Sequence, residues 1–186
     1  MTSVRPMRAD AARNRRLLLD AARQAFARSG VTASLDDVAK TAGVGPGTLY
    51  RHFPSRDALV LAVIDDGLME LHQLGATLMD SANPLGALRE WLAAYIAQAG
   101  MFDGLANTLV SAPTESITAC RMSREAGAEL VRRAVAAGAI RDDANIADVL
   151  DLAAAIAWVG EQPERDEAHR ARLLEIVMDG ISTSRG

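Results

Sequence analysis

The run Gly43-Val44-Gly45-Pro46-Gly47-Thr48-Leu49-Tyr50-Arg51-His52-Phe53 leaves the backbone few options. Upstream of it Ser34 precedes an apolar-periodic segment (Leu35, Val38, Ala39, Ala42). Asp37 stands three residues after the serine, which makes a capping-box-like start to a helix of about two turns. Gly43 ends that helix, because glycine accepts the left-handed backbone of a helix C-terminus. Gly45-Pro46-Gly47 then joins permissive to fixed dihedrals, with proline suited to the first turn of a new helix. Two short helices therefore meet at a sharp angle, and Ala39, Gly43 and Leu49 fall at the spacing that close crossing needs, as in a helix-turn-helix. On the second helix Leu49 and Phe53, four apart, face inward. Thr48, Tyr50, Arg51 and His52 are left outward, a set of hydrogen-bond donors and one planar ring suited to phosphates and base edges. An ordinary helical hairpin is the alternative, and it leaves this outward set unexplained.

Beyond the motif, Pro54-Ser55 caps a further helix, and Arg56 sits in its first turn, where the positive end of the helix dipole disfavours a cation. A DNA phosphate held by Arg56 and the amides of that turn would remove the conflict; an ion pair with Asp57 would also remove it. Charge is distributed to match. Residues 1–60 hold ten Lys and Arg against five Asp and Glu, whereas residues 61–186 hold ten against nineteen, so a net charge of −4 conceals a basic N-terminal third. Such polarity turns that third toward a phosphate backbone and the remainder away from it. Arg5, Arg8, Arg13, Arg15 and Arg16 form the densest basic run. It reads as a mobile arm before the first helix, able to reach a minor groove or to strengthen non-specific binding.

From Ala11 to about Val63 the chain resembles the DNA-binding domain of the TetR family of bacterial repressors. The resemblance rests on Ala25-Phe26-Ala27-Arg28-Ser29-Gly30 closing a first helix, Leu35-Asp36-Asp37-Val38-Ala39, the turn at Gly43-Val44, and Thr48-Leu49-Tyr50-Arg51-His52-Phe53 with Leu59 beyond. It implies phosphate or sugar contacts at Thr48, Tyr50 and His52, and an approach to the bases by Pro46, Gly47 and Arg51, with Arg51 a bidentate reader of guanine. Ser34 and Arg56 complete the expected DNA-binding set. Arg56 departs from the family's more usual lysine; its forked guanidinium can hold two oxygens where an ammonium acts as a point charge. Gly45 and Gly47 stand where relatives often carry polar side chains, so direct readout rests on few residues.

The expected fold is all-α. An N-terminal three-helix domain over residues 1–60 is followed by a helical ligand-binding and dimerisation domain over 61–186. Helices are expected at about 11–29, 35–42, 47–53, 56–79, 84–100, 102–111, 115–138, 143–161 and 165–181, divided by Asn83-Pro84, Pro113, Gly138 with Asp142-Asp143, and Gln162-Pro163. With 49% apolar residues, no stretch of about 18 apolar residues and no signal-peptide pattern, the chain reads as globular and cytoplasmic. Enzyme chemistry finds no footing. The glycines at 43, 45 and 47 lack both a following Gly-Lys-Ser/Thr and a preceding strand. His52, His72 and His169 lie far apart, Ser111, Ser116 and Ser123 have no identifiable base, and Cys120 is alone. No metal or cofactor is implied.

The resemblance further implies a small-molecule inducer held among the C-terminal helices, for which Trp91, Tyr95, Met101, Phe102, Met122 and Trp158 are candidates; each also fits ordinary core packing. It implies a homodimer as well, which would set two recognition helices about 34 Å apart for a palindromic operator. The apolar stripes of the last two helices supply the candidate seam: Ala154, Ala157, Leu174, Val177 and Ile181. A constitutive or partner-controlled DNA-binding module without a small-molecule ligand remains the alternative. A closed apolar cavity near Trp91, Tyr95 and Met122 would separate the two readings.

Overall fold

In a computed structural model of the chain the described residues are 5–99, 114–159 and 166–183. They form helices α1 (Arg5–Ser29), α2 (Leu35–Thr41), α3 (Pro46–His52), α4 (Arg56–Leu78), α5 (Pro84–Ala99), α6 (Thr114–Ala136), α7 (Ile146–Val159) and α8 (Glu167–Ile181), with one 3-10 turn at Gly30–Thr32. Among the described residues the only extended pairing is an isolated bridge between Ile140 and Ser182, so the all-α expectation stands. The helix expected at 102–111 lies outside the described residues.

The chain divides into two compact units between Ile64 and Asp65, inside α4 and a few residues beyond the expected boundary. In the first unit α1 packs on α2 and α2 on α3. Leu18, Leu19, Ala22 and Phe26 from α1 are buried, as are Val38, Ala39, Leu49, Phe53 and Leu59. Their spacing in α1, at i, i+1, i+4 and i+8, is one stripe of a 3.6-residue helix. In the second unit α5 packs on α6, α7 and α8 around a core that includes Leu88, Trp91, Leu92, Leu130, Ile156 and Met178.

Caps explain where the helices begin and end. Ser34 Oγ accepts the Asp37 amide at 3.3 Å, Ser55 Oγ that of Ala58 at 3.1 Å, Asn83 Oδ1 that of Gly86 at 2.9 Å, and Asp166 Oδ1 that of His169 at 2.8 Å. Two boundaries differ from the expected ones by three residues or more. Helix α1 begins at Arg5, so the basic run is helical and not an extended arm. Helix α7 begins at Ile146 because Asn145 caps it, accepting the Asp148 amide at 3.1 Å, whereas Asp143 is engaged by Arg141 Nη2 at 2.6 Å. That ion pair lowers the Asp143 pKa, chiefly through the hydrogen bond from Arg141.

Candidate nucleic-acid interface

The turn between α2 and α3 is built from backbone hydrogen bonds that glycine makes possible. Gly43 has φ +69°; its amide donates to Lys40 O at 3.1 Å, and the Val44 amide donates to Ala39 O at 3.0 Å. This is the paired closure of a helix whose C-terminal residue turns left-handed. Gly45 then opens α3, its carbonyl accepting from Thr48 and Leu49 at 2.9 and 3.3 Å, with Pro46 in the first turn. Leu49, fully buried, and Phe53, nearly so, belong to the same buried layer as Val38 and Ala39 of α2. The opposite face is presented outward as the pattern requires. Pro46, Gly47, Tyr50 and Arg51 are exposed, Thr48 and His52 half-buried, and Tyr50 is 49% accessible. A Cβ on Gly45 or Gly47 would meet nothing within 4 Å, so these glycines keep the surface low without being forced by packing.

Arg56 has backbone partners that the local sequence does not announce. Its Nη1 donates to the carbonyls of Val31 and Ala33, both at 2.6 Å, so the guanidinium ties the start of α4 to the α1–α2 connection. Two carbonyl dipoles thus offset the unfavourable helix end. The local sequence carries no signal of this, since the acceptors lie 25 and 23 residues away. Arg56 also lines an open concavity of about 370 Å³ together with Ser34, Leu35, Asp36 and Tyr50. Ser34 and Tyr50 are exposed on it, which brings three of the expected phosphate-facing residues together.

In the second unit the expected ligand residues separate. Trp91 is wholly buried; its indole N–H donates to Leu71 O at 2.9 Å, and its ring stacks on Tyr95 at a centroid distance of 5.9 Å. Gly75 and Gly127 make room for the ring: a Cβ on Gly127 would stand 2.7 Å from Trp91 Cζ3. The ring is close-packed against α4 and α6 at these two glycines. Burial, with Cys120 and Asp151 adding to it, pushes the Tyr95 hydroxyl pKa up. Met122 is half-buried and its carbonyl lies 3.2 Å from His72 Nδ1, a contact that needs the ring proton on Nδ1. Met101 and Phe102 lie outside the described residues. Trp158 is 59% exposed.

The dimer candidates separate too. Ala157 and Leu174 are buried within the protomer, Val177 and Ile181 are half-buried against the same core, and Ala154 is exposed. The outward apolar side chains of α7 and α8 are Leu152, Trp158 and Ile176, at 46%, 59% and 67% exposure. Sequence periodicity misses Leu152 because α7 is apolar around most of its circumference. A groove of about 330 Å³ lies between α5 and α8, floored by Ala93, Ile96 and Leu174 and rimmed by the Arg89–Glu175 ion pair at 3.2 Å. Among the described residues no cluster of His, Cys, Asp and Glu could hold a metal ion, and no helix is long and apolar enough to cross a membrane.

Comparison with known proteins agrees with this geometry. Residues 18–63 match the family model "Bacterial regulatory proteins, tetR family", and residues 83–183 match "Transcriptional regulator SbtR-like, C-terminal domain". The TetR transcriptional regulator SCO0520 of Streptomyces coelicolor is 34% identical, with a TM-score of 0.76 over 91% of this chain and 99% of that one. A TetR regulatory protein of Mycobacterium vanbaalenii is 32% identical, with a TM-score of 0.69 over 96% and 100%. The HTH-type transcriptional regulator UidR of Escherichia coli is 41% identical over 59 residues, 31% of this chain, and the match spans only 30% of UidR itself. The HTH-type transcriptional repressor KstR2 of Mycolicibacterium smegmatis is 28% identical over 91% of each chain. With a family model covering more than half of its length and a third of its residues shared with a full-length structural relative, the chain belongs to the TetR family of bacterial regulatory proteins.

Proposed function

We propose that the chain is a cytoplasmic, sequence-specific DNA-binding transcriptional regulator. It acts as a repressor, binds a palindromic operator as a homodimer, and is released by a small molecule bound in the C-terminal unit. The observation that carries the reading is the outward face of α3. Pro46, Gly47, Tyr50 and Arg51 stand exposed over a buried Leu49 and Phe53, on the one part of the chain with excess positive charge. Arg51 reads a base edge, and Thr48, Tyr50, His52 and Ser34 hold phosphates and sugars. Arg56 borders the same concavity, and its first task is to hold the Val31 and Ala33 carbonyls.

The homodimer uses the outward apolar residues of α7 and α8, Leu152, Trp158 and Ile176, together with Ala154. Three side chains this large and this exposed favour burial against a second copy. Release is carried by α4. Its C-terminal half is fastened by Trp91 to Leu71 O, by His72 to Met122 O, and by Arg133 to Leu78 O at 3.2 Å, with Arg133 also donating to Ser81 O just beyond the helix at 3.0 Å. A shift of α5 or α6 on ligand binding is therefore passed to α4. A few kcal/mol of differential affinity suffices to empty the operator. The close packing around Trp91 favours the second reading, a regulator controlled by a partner or not at all. The α5–α8 groove, at the lower end of ligand-pocket volumes, favours the first.

Selection of bound sequences from random duplex DNA at fixed salt tests the core of the proposal. A palindrome with half-sites about one helical turn apart is expected. Recovery of no motif, with retention lost as salt rises, would refute sequence-specific regulation.

A further inference from the structure

Helix α1 is longer than its packing needs. From Ala9 onward, where side chains are described, the first buried residue is Leu18, and Ala9 to Leu17 are exposed except for a half-buried Asn14. Counted from Arg5 the leading segment extends about 20 Å at the helical rise, and it carries Arg5, Arg8, Arg13, Arg15 and Arg16 against the single acid Asp10. No acidic residue occupies its first turn. Arg16 pairs with Asp20 at 3.3 Å, an exposed pair worth little. A helical extension with so little buried area is marginal by itself, and its crowded like charges weaken it further.

Its position relates it to the recognition helix. The Arg15 guanidinium carbon lies 5.4 Å from the centroid of Phe53, the residue that caps the C-terminal end of α3. Arg15 falls on the same stripe of α1 as Leu18, Leu19 and Ala22, and Arg8 stands two turns before it along the helix. The basic extension thus leaves the domain beside the end of α3. The family match begins at residue 18, so the extension precedes the shared DNA-binding core and adds to it.

We propose that residues 5–16 of α1 form a second DNA contact, an arginine-bearing helix that lies along the phosphates flanking the operator when α3 occupies the major groove. Charge complementarity commits the occupant: duplex DNA presents one negative charge per about 1.7 Å of axis, a polyanion suited to a helix that carries five arginines against one acid. This inference rests on the reading of α3 as the recognition helix.

The test compares the full-length protein with the triple variant Arg8→Gln, Arg13→Gln, Arg15→Gln, and with a chain lacking residues 1–12. Both are measured on the selected operator with long and with trimmed flanks, between 50 and 200 mM salt. The slope of log K against log salt should fall by about 0.9 for each phosphate that is no longer neutralised, so the triple variant should lose about 40-fold less affinity than wild type across that range. Wild type on trimmed duplex should behave like the triple variant on long duplex, an outcome that a merely structural role for these arginines would not produce. Unchanged slopes, or a changed base preference in place of a changed slope, would overturn the proposal. If wild type binds the operator and Arg51→Ala relaxes its discrimination, unchanged slopes in the triple variant refute the extension alone. If wild type finds no operator, the functional reading falls and takes the extension with it.

Discussion

Replacing Gly127 by alanine isolates the device that fastens the second unit. In most helix interiors this substitution stabilises by about 1 kcal/mol through propensity alone. Here the new Cβ would stand 2.7 Å from Trp91 Cζ3 and 3.0 Å from Cζ2, distances that a side chain or a helix must relieve by moving. The indole cannot simply retreat. It is fully buried, it is stacked on Tyr95, and its N–H is held by Leu71 O at 2.9 Å. Overpacking of this kind costs about 1–3 kcal/mol, and loss of the indole hydrogen bond about another 1. After subtracting the propensity gain, a net destabilisation of about 2 kcal/mol is expected, or a fall in Tm of about 4–8 °C for a chain of this size. Urea titration followed by circular dichroism measures it. The decisive comparison is made in a Trp91→Leu background, where the space is open and the sign should reverse, so that Gly127→Ala stabilises. A Gly127→Ala chain as stable as wild type, or an equal effect in both backgrounds, would show that Trp91 is not wedged between α4 and α6.

Arg56→Ala should lower thermal stability by about 2–3 kcal/mol through the two carbonyls it leaves exposed to poor partners, whereas Arg51→Ala should leave the melting curve unchanged and relax discrimination at one operator position by about 1–3 kcal/mol. Equal melting temperatures for the two variants would remove the structural role given to Arg56. Gly47→Ala meets open space and should melt no lower than wild type while altering operator binding, a pairing readable from one melt and one binding isotherm. Ile176→Arg should yield monomers by analytical ultracentrifugation, and a variant that stays dimeric would place the seam elsewhere. The raised Tyr95 pKa means that the folded state favours the neutral phenol. Its contribution to stability is whole below the unfolded value of 10.0 and disappears as pH rises through the higher folded value. Tyr95→Phe should therefore flatten the alkaline decline of the urea midpoint, and an unchanged decline would assign it to other groups.

What can be read from the sequence divides along the range of the interactions involved. The caps at Ser34, Ser55, Asn83 and Asp166, the left-handed Gly43 and the buried pair Leu49 and Phe53 all depend on neighbours within five residues, and periodicity and turn chemistry reach that far. The outward set on α3 follows by subtraction once the inward pair is known. Arg56 and Trp91 read as ligand-binding residues because each carries a hydrogen-bonding tip that the local sequence leaves without a partner. The partners are carbonyls: Val31 and Ala33 for Arg56, and Leu71 for Trp91. Backbone acceptors have no sequence signature, so an arginine or tryptophan that serves one is indistinguishable in sequence from one that serves a ligand.

The seam shows the same limit in another form. Helix α7 reads Ile-Ala-Asp-Val-Leu-Asp-Leu-Ala-Ala-Ala-Ile-Ala-Trp-Val, with apolar residues on nearly every face. Periodicity can choose the inward stripe of a helix only when a polar stripe opposes it. The fold decides by placing α5 and α8 against Val149, Ala153, Ile156 and Ala157, which leaves Leu152 and Trp158 outside. A helix that is apolar all round has two partners to satisfy. The first is the protomer's own core, and the second must be supplied by another surface. The surplus of apolar residues in the sequence therefore argues for assembly through side chains other than Ala157 and Leu174, which the protomer buries for itself.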